Sequence, residues 1–307
     1  MRPVFFFPGQ GSQSIGMGTA LAASYPEAAD VFRRASVQAG FDVLALCAEG
    51  PAEKLSRTLY TQPALFTVEA AIVETLRTRG IEPSAAAGHS LGEYGAWYAA
   101  GVYDFESGFA LVSERARLMD GADPEGRGTM AAVIGLDENV VREVCEATEG
   151  TVVVANLNSP GQIVISGERG AIDRAAPVLK ERGAKRVLPL PVSGAFHSPL
   201  MADARDAFAT EVERTKLSDA RCPVYANVTA RPVMAVEEIR NLMVSQLTSS
   251  VRWIETVRAI AADGYQAGWE IGPGNVLAGL VKRTVETFEV RPVSEPAHIA
   301  EVSHETA

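Results

Sequence analysis

Short apolar runs alternate with amphipathic segments along the first two thirds of the chain. Residues 4–7 form an apolar run that predicts a buried strand, and the small-residue run at 85–87 predicts a second strand beside a crowded turn. Apolar positions at three- and four-residue spacing predict a helix over 63–80. Asp104 is a suitable N-cap for a further helix that ends near residue 120. This alternation is typical of an α/β protein built on a parallel sheet.

Residues 128–192 follow a different order of elements. They predict strands at 129–134, 151–155, 162–166 and 186–192, with helices at 137–150 and 168–182. The resulting βαββαβ order is that of a ferredoxin-like unit. Because α/β alternation resumes afterwards, we predict a large α/β domain at 1–127 and 193–307 with this small subdomain inserted. The chain after residue 295 lacks an apolar period and is expected to be loosely ordered.

The composition of the 307 residues excludes several functional classes. Lys and Arg number 28 against 38 Asp and Glu, so the net charge of -10 argues against general nucleic-acid binding. No apolar run approaches the roughly 18 residues of a membrane span, and the one at the start is too short for a signal peptide. The three cysteines lack CxxC spacing, which argues against a disulfide framework or a zinc site. We therefore predict a soluble cytoplasmic protein without a bound metal and without nucleic-acid or membrane partners.

Residues 88–92, with the sequence GHSLG, match the G-x-S-x-G nucleophile elbow. In such an elbow the serine, here Ser90, projects from a sharp turn between a strand and a helix, and glycines two positions away on either side avoid a collision. The turn also leaves the serine at a helix N-terminus, where backbone N–H groups can stabilise an oxyanion. The alternative is an ordinary glycine-rich turn, because five-residue matches also arise by chance.

A serine nucleophile needs a base, and the chain offers four histidines. His298 and His304 lie in the predicted loose tail, and the side chain of His89, inside the elbow, should point away from that of the serine. His197 follows the predicted strand at 186–192, a position suited to a catalytic site. His197 is therefore the candidate base by elimination, with a structural histidine as the alternative.

Arg115 lies on the inward-facing stripe of the helix predicted from Asp104. It is spaced by three or four residues from Leu111 and Leu118, whereas Arg117 falls on the polar face. An arginine does not lose its proton, so burial requires a partner anion. That anion is either a buried Asp or Glu in a structural salt bridge or a carboxylate carried by a substrate, and the pattern leaves both open.

Two glycine-rich loops follow predicted strands. The loop at 9–13, GQGSQ, is too short for a dinucleotide fingerprint and lacks the lysine of a phosphate-binding loop. It could bring the backbone N–H of Gln10 to an oxyanion, or it could be an ordinary tight turn. The loop at 272–274 admits the same two interpretations, with the turn favoured.

Taken together, these segments resemble the malonyl-CoA:acyl carrier protein transacylase family, which includes the acyltransferases of polyketide synthases. The similarity runs in the family's order from near the first residue to about residue 283, so it covers nearly the whole chain. The matching segments are 7–13, 61–64, 88–94, 114–115, 158–162, 196–198, Gln246 with 251–253, and 270–274.

The resemblance implies a hydrolase-like α/β core with a parallel sheet and an inserted ferredoxin-like subdomain, in agreement with the pattern of the small subdomain. It implies a catalytic dyad of Ser90 and His197, in which the main-chain carbonyl of Gln246 orients the histidine. The oxyanion hole would be formed by the backbone N–H groups of Gln10 and Leu91.

The resemblance also implies a substrate and its contacts. Arg115 would bind the free carboxylate of malonate, with Gln62 among the substrate-binding residues. Residues 194–197, Gly-Ala-Phe-His, look like the malonyl-selective form of the family's specificity motif, in which the bulky Phe196 crowds an α-branch. Gly194 departs from the residues more usual at the first position of that motif.

The reaction implied is ping-pong acyl transfer from malonyl-CoA to the phosphopantetheine thiol of an acyl carrier protein, through a malonyl-O-serine ester. It requires no metal and no redox cofactor. It serves fatty-acid or polyketide biosynthesis, which the sequence does not separate. Two alternatives are a serine hydrolase that clears acyl groups from carrier proteins, which would have no need for an inward arginine, and a non-catalytic docking module, which would be expected to lose the serine or the histidine.

An acidic carrier protein would dock on local basic patches of this acidic chain. Solvated helix ends are the alternative interpretation of these patches. The candidates are Lys180, Arg182, Lys185 and Arg186, or Lys282 and Arg283.

Overall fold

Two β-sheets organise the part of the chain that the structure describes, one with six strands and one with four. The structure is a computed structural model that describes residues 3–306, with side chains as far as residue 304. The strands are β1 (Val4–Phe7), β2 (Ala85–Gly88), β3 (Gly128–Ile134), β4 (Val152–Ser159), β5 (Gln162–Glu168), β6 (Arg186–Pro189), β7 (Val224–Tyr225), β8 (Pro232–Val233), β9 (Ala267–Ile271) and β10 (Glu289–Val293). The α-helices are α1 (Thr19–Ser24), α2 (Pro26–Ala39), α3 (Val43–Glu49), α4 (Ala52–Leu55), α5 (Thr58–Arg77), α6 (Gly92–Ala99), α7 (Phe105–Asp120), α8 (Glu138–Ala147), α9 (Arg169–Glu181), α10 (Ala202–Arg214), α11 (Val236–Ser245), α12 (Trp253–Ala262), α13 (Val276–Thr284) and α14 (Pro296–Thr306).

The large sheet has the strand order β10-β9-β1-β2-β7-β8 and is parallel except for β8, which runs antiparallel to β7. The central strand β1 is buried along its whole length, because Phe5 and Phe7 enter the apolar cluster on one face and Phe6 enters the cluster on the other. The register pairs Phe7 with Gly88, so the carboxyl ends of β1 and β2 lie side by side. The loop after β1 and the turn after β2 therefore meet at one edge of the sheet.

The two glycines of the elbow, Gly88 at the end of β2 and Gly92 at the start of α6, are explained by close backbone contacts at the turn. A Cβ atom on Gly88 would lie 2.0 Å from the carbonyl carbon of Gly92, and a Cβ atom on Gly92 would lie 2.0 Å from the carbonyl oxygen of Phe7. Glycine is required at both positions because α6 begins directly against the backbone of the two strands. The collision that the G-x-S-x-G pattern predicted is thus confirmed.

The small sheet has the strand order β4-β5-β3-β6, and every neighbouring pair is antiparallel. Together with α8 and α9 it forms the βαββαβ unit of a ferredoxin-like fold. Alternate residues of β5 face opposite sides of the sheet: Ile165 packs with the two helices, whereas Val164 joins the main apolar cluster of the large domain. One face of the small sheet therefore lies on the large domain.

Helix α5 begins earlier than the sequence predicted, at Thr58 rather than at Pro63. Proline lacks an N–H group and usually starts or interrupts a helix. Here Thr58, Thr61 and Gln62 are buried, so tertiary packing holds the residues before Pro63 in the helix. The helix ends at Arg77 rather than at residue 80.

The expectation of a loosely ordered tail is wrong. The residues after Glu295 form α14, in which Ile299 and Val302 are buried in the main apolar cluster of the large domain. These two residues make a single i, i+3 pair, which is too short a pattern to predict a helix from periodicity. Contacts with distant parts of the chain therefore order this segment.

Two further observations bear on the expectations from composition. None of the helices within residues 3–306 combines the length and the apolarity needed to cross a bilayer. Cys47, Cys145 and Cys222 are all buried, and all three are free thiols.

Candidate active site

Ser90 occupies the turn between β2 and α6 in a strained backbone conformation. Its φ of 53° lies in the left-handed region, which costs energy for a residue with a Cβ atom. Asn227 holds this turn, because its Oδ1 accepts the Ser90 N–H at 2.8 Å and its Nδ2 donates to the carbonyl of Gly88 at 2.6 Å. The serine lines a cavity that is bordered by strands of the small sheet and by residues of helices α5 and α7.

His197 is placed to accept the proton of Ser90. The Ser90 Oγ lies 2.8 Å from the His197 Nε2. The other ring nitrogen, Nδ1, lies 3.0 Å from the carbonyl oxygen of Gln246 and 3.1 Å from that of Ser249. Because carbonyl oxygens only accept hydrogen bonds, the ring proton belongs on Nδ1, and the lone pair of Nε2 faces the serine. The structure thus brings together the two residues that the sequence selected as nucleophile and base.

The surroundings of His197 keep its ring neutral. Burial lowers its pKa to about 3, and the positive charge of Arg115 is the next contribution. The hydrogen bonds to the two carbonyls act in the opposite direction but do not offset the desolvation of the ring. At neutral pH the imidazole is therefore in the basic form that proton abstraction requires.

Arg115 lies on the buried face of α7, as its position in the sequence predicted, and its relative exposure is 0%. Arg117, on the polar face, instead forms an exposed ion pair with Glu114. The Arg115 guanidinium donates through Nη1 to the Oε1 of Gln62 at 2.7 Å. It donates through Nη2 to the Oε1 of Gln246 at 2.9 Å. Two neutral side-chain amides therefore hold this cation in place.

The charge of Arg115 has no direct carboxylate partner. Among the side chains of residues 3–304, no Asp or Glu forms an ion pair with it, and the carboxyl group of Glu93 acts on it only from beyond Gln246. Burial lowers its pKa, although an arginine stays protonated in a protein. Its Nη2 lies 3.2 Å from the Ser90 Oγ. The structural salt bridge that the sequence left open is not formed, and the positive charge lies beside the serine.

Two backbone N–H groups next to Ser90 are left without an acceptor. Neither the Gln10 N–H nor the Leu91 N–H forms a hydrogen bond with any residue in the described part of the chain. Leu91 is the N-cap of α6, and Gln10 follows β1, so both lie at the edge where Phe7 and Gly88 are paired. Unpaired N–H groups at a helix N-terminus suit a developing oxyanion.

The cavity at Ser90 has a volume of about 160 Å³. A larger cavity of about 460 Å³ lies at the end of the small sheet where Gly128 pairs with Glu168, and it contains none of the site residues selected from the sequence. We place the chemistry in the smaller cavity, because a nucleophile, a base and a fixed cation converge there. The apolar wall of the smaller cavity consists of Leu91, Met119, Met130, Val164, Leu190, Val192 and Phe196.

Gln62 and Phe196 both border this cavity. The Oε1 of Gln62 accepts the hydrogen bond from Arg115, while its Nε2 points to the Met119 sulfur at 3.5 Å. The Phe196 ring leans over Gly194, where a Cβ atom would lie 3.4 Å from the ring. The roles of Gln62 and Phe196 toward a substrate stay predictions.

Glu93 and Asn227 were not among the residues selected from the sequence, yet both are buried behind the elbow. The backbone N–H of Asn227 donates to the Glu93 Oε1 at 2.9 Å. Glu93 follows the elbow directly, and an acidic residue at the buried start of a helix was a usable signal. Asn227 lies in an irregular segment after β7, where no periodic pattern marks it.

The remaining histidines do not form a second site. His89 lines the cavity, but its Nε2 lies 2.7 Å from the Asn158 Oδ1 rather than beside the Ser90 Oγ, as expected from its place in the elbow. His298 accepts a hydrogen bond from a backbone N–H, and His304 is exposed. Among the residues that the structure describes, no three His, Cys, Asp or Glu side chains are grouped so that they could hold a metal ion.

The two basic patches noted in the sequence lie at one edge of the small sheet. Arg186 pairs in register with Ile134, and Ile134 pairs with Gln162 on the neighbouring strand. Two strand spacings, about 10 Å, therefore separate Arg186 from Gln162. Arg283 donates a hydrogen bond to the Gln162 Oε1 at 3.1 Å, which brings α13 to the same edge.

We call the surface formed by Lys185, Arg186, Lys282 and Arg283 the basic edge. Arg182, beside it, is paired with Glu143. The basic edge adjoins the cavity, because the β4–β5 turn joins Gln162 to Asn158, which lines the cavity. The four side chains of the basic edge are exposed, and none of them forms an ion pair within residues 3–304.

Comparison with known proteins gives a match over nearly the whole chain. A family model for the acyl transferase domain matches residues 4–305. The malonyl CoA-acyl carrier protein transacylase of Escherichia coli strain K12 is 45% identical over 299 residues, which are 96% of this chain and 97% of that protein.

Solved structures extend the match to three dimensions. An acyl carrier protein S-malonyltransferase from Vibrio cholerae has a TM-score of 0.94 and 42% identity, and the match covers 97% of this chain and 99% of that one. A malonyl-transacylase in complex with a type II polyketide synthase acyl-carrier protein has a TM-score of 0.96 and 42% identity, with 99% of this chain and 100% of that one covered. Sequence and fold therefore agree over the same residues.

Proposed function

The chain belongs to the acyl transferase domain family, and we propose that it transfers a malonyl group from malonyl-CoA to the phosphopantetheine thiol of an acyl carrier protein. The placement of Arg115 carries this proposal. Its Nη2 lies 3.2 Å from the Ser90 Oγ, and no carboxylate forms an ion pair with it within residues 3–304. A malonyl thioester carries a carboxylate one methylene away from the carbonyl that the serine attacks, so both groups can be held at once.

The first half-reaction forms a malonyl ester on Ser90. The His197 Nε2 takes the hydroxyl proton while the serine oxygen attacks the thioester carbon. The N–H groups of Gln10 and Leu91 donate to the carbonyl oxygen as it becomes negative. The imidazolium, held through Nδ1 by the Gln246 carbonyl, then protonates the sulfur of the departing CoA.

The second half-reaction returns the acyl group to sulfur. The carrier-protein thiol gives its proton to His197 and attacks the ester, and the Ser90 oxygen leaves with that proton. Arg115 holds the malonyl carboxylate between the two steps. Acylation of the serine oxygen frees the Nη2–H that now donates to it, and this N–H can turn to the carboxylate. Both steps are proton and acyl transfers, which need no metal and no redox cofactor.

The cavity suits a small acidic acyl group better than a long apolar one. Its volume of about 160 Å³ lies below the roughly 300–1,000 Å³ of pockets that bind drug-sized ligands. Phe196 in the cavity wall would contact a substituent on the central carbon, so malonyl should be preferred to methylmalonyl. The hydrolase alternative finds no support in these contacts, because a simple acyl chain would leave the charge of Arg115 buried without an anion.

Intact-mass analysis tests the proposal. The chain is mixed with malonyl-CoA and then with an acyl carrier protein that bears phosphopantetheine. We expect a malonyl adduct on the chain that passes to the carrier and that is absent in Ser90→Ala. Ser193→Ala is the matched control, because Ser193 is an exposed serine that does not line the cavity, and it should keep the adduct.

Two outcomes would contradict the proposal. Loss of the adduct to water faster than to the carrier thiol would identify a hydrolase. Persistence of the adduct in Ser90→Ala would show that another residue is the nucleophile.

We further propose that the carrier protein docks on the basic edge. Carrier proteins are usually acidic, and unpaired cations attract an acidic partner and orient it. The basic edge adjoins the cavity through the β4–β5 turn, so a phosphopantetheine arm on a partner bound there would be close to the serine.

Charge reversal tests this docking surface. Arg186→Glu and Lys282→Glu should each raise the KM for the carrier protein about three- to tenfold at low salt, and less at high salt. Loading by saturating malonyl-CoA should not change. Arg169→Glu is the control, because Arg169 is exposed at the opposite end of the small sheet. An equal effect of Arg169→Glu would show that net charge governs the KM instead.

We also propose a cytoplasmic location. The support is the three free cysteines, since a reducing compartment keeps thiols from pairing.

The carrier proteins of fatty-acid and polyketide synthesis present the same thiol, so the proposed site would serve either pathway.

A further inference from the structure

Glu93 is a buried carboxyl group directly behind the elbow, and the reaction proposed above gives it no role. It is the second residue of α6 and is 1% exposed. Its Oε1 accepts the backbone N–H of Asn227 at 2.9 Å, and its Oε2 accepts a hydrogen bond from the Gln246 Nε2. It does not line the cavity, so it can influence a substrate only through another residue.

Gln246 is the residue through which Glu93 can act. Its backbone carbonyl orients His197, and its Oε1 accepts the hydrogen bond from Arg115. Its Nε2 donates to Glu93 and to the carbonyl of Ser90. A side-chain amide has an acceptor on one side and donors on the other. Because Glu93 and the Ser90 carbonyl hold the NH₂ group of Gln246, the amide oxygen of Gln246 is turned toward the Arg115 guanidinium.

We propose that Glu93 is a positioning residue that fixes the amide orientation of Gln246 and, through it, the guanidinium of Arg115 beside the nucleophile. This inference rests on the proposed function, in which Arg115 binds the malonyl carboxylate. The backbone N–H of Asn227 anchors Glu93 and cannot turn, so the site requires a group that accepts hydrogen bonds on both of its polar atoms. An ionised carboxylate meets that requirement, whereas a side-chain amide does not.

The ionisation of Glu93 limits the pH range of this role. Burial raises its pKa to about 7, although the two hydrogen bonds and the charge of Arg115 act to lower it. Below about pH 7 the carboxyl group takes up a proton, and the protonated oxygen no longer serves as a simple acceptor. Malonyl loading should therefore fall as the pH drops below about 7. Two other titratable groups, Tyr94 and Tyr103, interact with the charge of Glu93, and burial raises the pKa of both. Burial also raises the pKa of Glu69 on α5 and lowers that of His197, which meets Glu93 only through Gln246.

The variant Glu93→Gln tests the inference with almost no change in size. Its oxygen would take the Asn227 N–H, so its NH₂ group would face that of Gln246 and drive the Gln246 amide to turn its own NH₂ group toward Arg115. We expect kcat/KM for malonyl-CoA to fall about ten- to a hundredfold, and that for acetyl-CoA, which lacks the carboxylate, to change by less than about threefold. The wild-type loss of malonyl loading below pH 7 should be absent from the variant.

Glu69→Gln is the matched control. Glu69 is also fully buried, on the neighbouring helix α5, but neither of its oxygens has a hydrogen-bond partner among the described residues. Glu69→Gln should leave kcat/KM unchanged for both malonyl-CoA and acetyl-CoA. In a Gln246→Ala background, Glu93→Gln should add little further loss, because the residue through which it acts is gone.

Additive effects of Glu93→Gln and Gln246→Ala, or unchanged malonyl kinetics in Glu93→Gln, would overturn the inference. Should the wild-type chain form no malonyl ester, the proposed function fails, and a crystal structure of Glu93→Gln then decides about Glu93. Displacement of Arg115 from Gln246 in that structure would support the positioning role, and an unchanged arrangement would overturn it.

Discussion

Two buried regions of this chain are filled in opposite ways. Behind the elbow, Glu93, Arg115, His197 and Gln246 are at most 3% exposed and are connected by hydrogen bonds through Gln246. On the helix-covered face of the small sheet, apolar side chains such as Ile165 pack against one another. Burial of apolar groups stabilises the fold, whereas burial of a charge without a direct counterion opposes it. The difference separates what holds the fold together from what the chemistry requires.

Among the changes that separate the two regions, removal of Arg115 should have the largest effect on activity. The change is confined to the polar region behind the elbow. Arg115→Ala should lower kcat/KM for malonyl-CoA by about a hundred- to a thousandfold, since truncating one partner of a buried charge pair costs about 2–5 kcal/mol. Loading by acetyl-CoA should fall far less, because acetate carries no carboxylate. Intact-mass kinetics with the two donors measures the ratio.

Arg115→Lys is the control for this prediction, because it keeps the charge but not the two-pronged geometry of the guanidinium. It should fall between the wild type and Arg115→Ala. An unchanged ratio of malonyl to acetyl loading in Arg115→Ala would contradict the carboxylate contact and would leave the buried charge without a function.

The elements that the sequence predicted well are those whose pattern is local. The four strands of the small sheet and the inward position of Arg115 on α7 both follow from local sequence patterns, and the structure contains all of them. The bounds differ in two strands, because β4 continues to Ser159 and β6 ends at Pro189 rather than at residue 192. The elbow at Ser90 could be recognised because steric crowding requires glycine on both sides of it. In each case the signal lies within a few residues of chain, although the crowding at Gly92 comes from the distant Phe7 carbonyl.

What the sequence did not predict depends on contacts between distant segments. Asn227 meets Glu93 across 134 positions of the chain, and nothing near either residue indicates the pairing. The basic edge likewise depends on the register that places Arg186 two strands from Gln162, which Arg283 then contacts. The burial of α14 is a third case. Such features follow from the completed fold and carry no local signal.

The polar region should also make stability depend on pH, which the apolar region does not. The pKa of His197 is lowered from 6.5 to about 3 in the folded chain, mainly by burial. Between those values the unfolded chain binds a proton that the folded chain does not, so acidification favours unfolding. Relative to His197→Gln, the wild-type free energy of unfolding should be about 2 kcal/mol lower at pH 5 than at pH 8. Urea unfolding at a series of pH values measures the difference, and parallel curves for the two proteins would contradict it.

The smallest effect is expected where two neighbouring residues of β5 face the two regions. Ile165→Val removes one methyl group from the helix-covered face, so it should lower the free energy of unfolding by about 0.5–1.5 kcal/mol at every pH and leave acyl loading unchanged. Val164 lies on the opposite face, in the wall of the cavity at Ser90. Because Val164→Ala enlarges this cavity, it should raise loading by methylmalonyl-CoA relative to malonyl-CoA. Urea unfolding and intact-mass kinetics on both variants separate the two faces. A change of acyl preference in Ile165→Val, or its absence in Val164→Ala, would show that the small sheet transmits packing changes between its faces and that the two regions are not independent.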